Sequence, residues 1–168
     1  MRRAILAAIP VLGLTLMLQL SILSRMMLLS GNADLILLVL AAWALQERAR
    51  GAWIWGVAAS LIAGMISGIP WYIYLVGYLS VVGAAKLLIH RIWQAPLLAM
   101  FTVTLIGTLE LLMLTYVRQT VFESALPFSS VFFQIVLPSI LLNLLLAIPV
   151  HAFVKDVANW LYPAEVVA

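Results

Sequence analysis

Residues 51–89 read GAWIWGVAASLIAGMISGIPWYIYLVGYLSVVGAAKLLI, thirty-nine residues with one charged side chain, Lys86. Two apolar runs, Gly51 to Ile69 and Trp71 to Ile89, lie on either side of Pro70. Each has the roughly 20 residues with which a helix crosses about 30 Å of hydrocarbon. The first run carries Ala52, Gly56, Ser60, Gly64 and Gly68 at every fourth position. On a helix these form one nearly straight stripe of small side chains, the pattern that lets helix backbones approach closely in lipid. Two readings stand for the stripe. It packs on a neighbouring helix of the same chain, with Gly77, Ser80 and Ala84 of the second run as the mate, or it forms a groove for a partner protein's helix.

The rest of the chain repeats the pattern. Of 168 residues, 66% are apolar and 9% charged, and the mean hydropathy is +1.19. Further apolar runs cover about residues 4–23, 33–45, 95–117 and 131–154, with connections too short for a soluble domain. The first run follows Arg2-Arg3 and is read as a retained span rather than a cleaved signal. The expected fold is therefore all-α and integral to the membrane, one domain of six transmembrane helices. With the N-terminus inside, Arg2, Arg3, Arg48, Arg50, Lys86, Arg91 and Lys155 fall on the cytoplasmic side. Arg25 and Arg118 fall outside, a clear positive-inside bias. The run at 33–45 is the weakest span, because 13 residues make a helix of only about 20 Å. Residues 24–32 are expected at the outer interface, and residues 118–130 form the largest outer loop. The tail from 155 to 168 is expected either to lie as a short helix on the cytoplasmic interface or to be a frayed end of the last span. In the interfacial reading Phe153, Val157, Trp160 and Leu161 share its apolar face.

Cysteine is absent, which removes disulfide and thiolate chemistry. A formal charge of +3 is too small and scattered for a nucleic-acid footprint, and suits a surface facing anionic lipid. His90 and His151 are far apart, and no zinc motif, phosphate loop or catalytic constellation occurs. No cofactor and no enzymatic activity are expected.

A few polar residues inside the spans stand out. Glu110 is the acid well inside a span, where an ionised carboxylate costs roughly 2.5–3.5 kcal/mol. Gln19 and Ser139 fall at similar depth and are candidate partners for it. Asn143 lies between Pro138 and Pro149, which free the carbonyls of Gln134 and Leu145. It marks either a bent helix or a polar site. Asp34 begins the run at 33–45 and reads as a helix N-cap.

From Asp34 to Asn159 the chain resembles the bacterial rod shape-determining MreD family. The likeness rests on Asp34 and the apolar run ending at Trp43 with Arg48 and Arg50 beyond. It rests also on the glycine-spaced third segment closing at Ser67-Gly68, on Gly77-Tyr78 in an aromatic-rich fourth segment, and on Glu110 in the fifth. The chain departs from the family at Ala33, usually proline, and at Gly64, often aspartate. The resemblance implies a non-enzymatic multi-pass subunit of the inner (plasma) membrane of a bacterial cell. It would act in cell shape and peptidoglycan synthesis as part of the elongation complex. Implied partners are membrane lipid and an MreC-like single-span protein and, through it, MreB, RodA and a class B penicillin-binding protein. Self-association as a homo-oligomer stays open. MreD-like proteins are also thought to share the six-helix fold of the substrate-binding subunits of energy-coupling-factor (ECF) transporters. A vitamin-binding subunit of that kind is the competing reading, with Ala4 and Ala8 at the spacing of a docking motif for a coupling protein.

Overall fold

The computed structural model describes residues 2–21, 28–47, 51–89, 95–123 and 127–162, with the side chains of 2–8 left out. Every regular element among them is helical: α1 (Arg2–Ser21), α2 (Leu35–Ala44), α3 (Ala52–Ile66), α4 (Trp71–Ile89), α5 (Pro96–Phe122) and α6 (Phe128–Leu161). Three of them, α4, α5 and α6, are long and apolar enough to cross a membrane. Arg25, Arg48, Arg50, His90, Arg91 and residues 163–168 lie outside the described residues.

The expected span at 33–45 takes a different form. Helix α2 has 10 residues, all of them buried, and touches each of the other five helices. A helix that is apolar on every side belongs in a core, and α2 is the axis around which the others stand. At 1.5 Å per residue it is about 15 Å long, half of the hydrocarbon thickness. Its first turn lies beside Asn143 and Thr108, and Thr108 is 12 residues from the start of α5 and 14 from its end. The helix therefore starts near mid-height of its long neighbours.

Helices α3 and α4 form a hairpin. Ser67 ends α3, its hydroxyl donates to Ala63 O at 2.8 Å, and Gly68 takes φ +70° in the left-handed region that glycine tolerates. Gly64 lies so close to the start of α4 that an added Cβ would stand 2.5 Å from Trp71 Cα. Gly56 meets Leu79 and Val82, while Ala52 and Ser60 are buried. Helix α4 occupies the stripe at Gly56 and Gly64, and Gly68 faces open space. The mating residues differ from those expected. Gly77 and Ser80 turn to α5, where they meet Leu111 and Glu110, because glycines of α5 and α4 bring these two helices close as well: Gly107 of α5 admits Val81 of α4. At the other end of α2, Trp43 stacks on Trp55 of α3 with centroids 4.2 Å apart and planes at 10°. Such pairs add about 0.5–1.5 kcal/mol beyond burial.

Helix α6 contains a π-helical turn at Phe132–Val136, just before Pro138. Pro138 cannot donate to Gln134, and the Ser30 N–H supplies that bond from outside at 3.0 Å. Gly31 presses into the same place, where a Cβ would lie 2.7 Å from both Pro138 Cβ and Ser139 N. Residues 28–33 thus dock on α6. Helix α5 runs past the expected end at 117 to Phe122, and Arg118 pairs with Glu123 at 3.0 Å. Helix α6 likewise continues through Pro149 to Leu161, so residues 155–161 extend the last helix. His151, Val154 and Ala158 are its buried face, while Phe153 and Trp160 point outward.

Candidate functional site

An irregular segment entering a half-length helix within a bundle carries backbone groups that the helix's own ladder does not satisfy and that need other partners. Here side chains of α1 and α6, together with Asp34 at the head of α2, supply them. Ser139 Oγ accepts from the Asn32 N–H at 3.1 Å, and Asn143 Oδ1 accepts from the Asp34 N–H at 2.8 Å. Gln19 Oε1 accepts from the Ile36 N–H at 3.4 Å, and Asp34 Oδ1 accepts from the Leu37 N–H at 3.0 Å. The last of these is the N-cap expected of Asp34.

Asp34 has a second bond that its capping role does not require. Its Oδ2 accepts from the Tyr78 hydroxyl of α4 at 2.9 Å. Asn143 is used at both ends, since its Nδ2 donates to Thr108 Oγ1 of α5 at 2.9 Å. One connected network therefore ties α2 to α4, α5 and α6, and Gln19 extends it to α1.

Gln19 and Ser139 thus have a different task from the one their depth suggested. They hold the entry to α2, whereas Glu110 is met by Ser80, which shares its hydroxyl between Gly77 O at 2.7 Å and Glu110 Oε2 at 2.6 Å. Equal depth along two helices says nothing about which way each side chain faces, and α4 is the neighbour on the Glu110 side of α5. Asn143 is buried at the centre of the network rather than simply at a bend. Tyr78 and Thr108 were not singled out in the sequence as network members. Their signal was a polar group within an apolar run at the level of Asp34.

Beside the network lies a partly open cavity of about 250 Å³. Gln19, Asp34, Thr108, Ser139 and Asn143 line one part of it, and Leu37, Leu111 and Leu112 another. It reaches from the mid-height of α5 and α6 toward the end of the bundle where α1 finishes and α4 begins. The expected outer end of the bundle is this one. Among the described residues no group of three or more histidine, cysteine or acidic side chains could hold a metal. Comparison with protein-family models, curated proteins and solved structures gives no match for the chain.

Proposed function

We propose that this chain is a non-enzymatic scaffold subunit of the bacterial inner membrane, acting in the cell-elongation complex in the manner that the likeness to MreD implies. It holds the transmembrane helix of an MreC-like single-span protein and through it is linked to MreB, RodA and a class B penicillin-binding protein. In this reading the six helices all belong to the membrane domain, both termini are cytoplasmic, and the architecture is akin to that of ECF substrate-binding subunits.

The observation that carries the reading is where the residues of the likeness go in the folded chain. Asp34 of the first motif bonds Tyr78 of the Gly-Tyr motif. Trp43, at the other end of the first motif, stacks on Trp55 of the glycine-spaced segment. Glu110 is held by Ser80. Residues separated widely in sequence are thus spent on one another, as expected of motifs that maintain a particular bundle shape. The outward faces are left to large apolar side chains such as Met65, Leu87 and Leu145, at 86%, 72% and 70% exposure. Such faces suit lipid or a partner's apolar helix, where van der Waals packing drives association.

Photo-crosslinking tests this reading. A crosslinking residue placed at Met65, Leu105 or Leu145 in the native membrane should capture a single-span protein from at least one helix face. Capture of lipid alone from every outward face of α3, α5 and α6 would refute it.

A further inference from the structure

The cavity beside the α2 entry has the chemistry of a ligand site, independently of any partner on the outer faces. At about 250 Å³ it is just below the roughly 300 Å³ at which drug-sized pockets begin. It joins an apolar wall to a polar one whose side chains are fixed by other bonds, the usual composition of a small-molecule site.

The unspent hydrogen-bond capacity of the polar wall defines what would fit. Asp34 already accepts one bond on each oxygen. Asn143 is engaged through both its oxygen and its nitrogen. Gln19 accepts through Oε1, which leaves its amide NH₂ as donor. Ser139 and Thr108 each accept one bond and each retain a hydroxyl proton. The wall therefore offers the donors of Gln19, Ser139 and Thr108 beside the lone pairs that remain on Asp34 and Asn143. Among the described residues that line the cavity none is a lysine, arginine or histidine, and Asp34 is the one that carries a charge. An anion would meet that carboxylate with no counter-charge among those residues. A cation would find the carboxylate already bonded twice and set against the positive end of α2.

We propose that the cavity binds a small uncharged organic molecule that presents carbonyl or ring-nitrogen acceptors to Gln19, Ser139 and Thr108. Its apolar flank rests on Leu111 and Leu112. Asn32, exposed at the rim, marks the way in.

Three probes of one shape and different charge test this: nicotinamide (neutral), nicotinate (anionic) and 1-methylnicotinamide (cationic). The purified full chain in mild detergent is heated with each at 10 mM. For a site of about millimolar affinity, nicotinamide should raise Tm by roughly 2–5 °C. The two charged probes should shift it by less than about 1 °C. Gln19→Glu keeps an acceptor for the Ile36 N–H but removes the donors, and should abolish the nicotinamide shift. Leu112→Trp fills the cavity from the apolar side and should abolish it too, so a folding defect in one variant does not decide the result. No shift with nicotinamide, an equal shift with either charged probe, or a shift that survives in both variants overturns the proposal.

Discussion

Replacing Gly64 by alanine adds one methyl group where the structure has no room for it. The new Cβ would stand 2.5 Å from Trp71 Cα, 2.6 Å from Trp71 Cβ and 3.0 Å from Trp71 N. Ordinary Cβ contacts begin near 3.4 Å, so the first turn of α4 must retreat by about 1 Å. The atoms in the way are mostly backbone, which no rotamer change can move, and the hairpin connection at 67–70 leaves little slack. Overpacking of this kind costs typically 1–3 kcal/mol, against a gain of about 0.5–1 kcal/mol for replacing a helical glycine. The net loss is about 1–2 kcal/mol, or roughly 2–8 °C in Tm for a chain of this size. Two other glycines calibrate the assay. Gly13→Ala meets nothing within 4 Å and should be neutral or slightly stabilising. Gly56→Ala meets the movable Leu79 Cδ2 at 3.1 Å and should stay within about 1 kcal/mol of the parent. Thermal unfolding of the three variants in one detergent gives the order. If Gly64→Ala melts with or above Gly13→Ala, the close α3–α4 crossing described above is wrong.

Tyr78→Phe removes the bond to Asp34 and should cost about 1–3 kcal/mol, the usual range for leaving a buried acceptor without its partner. A double-mutant cycle with Asp34→Ala should show coupling above about 1 kcal/mol, and strict additivity would mean the two do not meet. Asn143→Leu leaves the Asp34 N–H and the Thr108 hydroxyl without their partner. It should lower stability more than Tyr78→Phe does in the same thermal assay, and an equal or smaller loss would remove Asn143 from the centre of the network. Glu110→Gln keeps an acceptor for Ser80 and should change stability by less than about 1 kcal/mol. It should also preserve cellular function at normal expression, whereas complete loss of function would show that the charge itself is required.

The helices that face outward were the most legible in the sequence. Helix α4 begins and ends where its apolar run does, at Trp71 and Ile89, and α3 closes on the Ser67-Gly68 signal. Capping by Asp34 could be read because an acid before an apolar run has few other uses. The half-length, wholly enclosed form of α2 was not legible. Its apolar residues look alike whether they face lipid or other helices, and only the surrounding elements decide. The network was legible as a set of residues and not as a set of bonds. Gln19, Ser139 and Asn143 stood out as polar groups in apolar runs, but depth along a helix fixes height and leaves direction open. Their common partner turned out to be the backbone entering α2. Threonine carries still less signal: Thr102, Thr115 and Thr120 of α5 bond their own helix, and Thr108 alone of these four reaches Asn143.

The most direct test of the scaffold reading is purification of the tagged full chain from native membranes, with its partners identified and their stoichiometry measured by mass spectrometry. A scaffold of this kind should bring with it a single-span protein with a large outer domain at about equal amount, accompanied by less abundant cell-wall synthesis proteins. A chain that purifies alone, or together with an ATP-hydrolysing coupling complex, would contradict the scaffold reading.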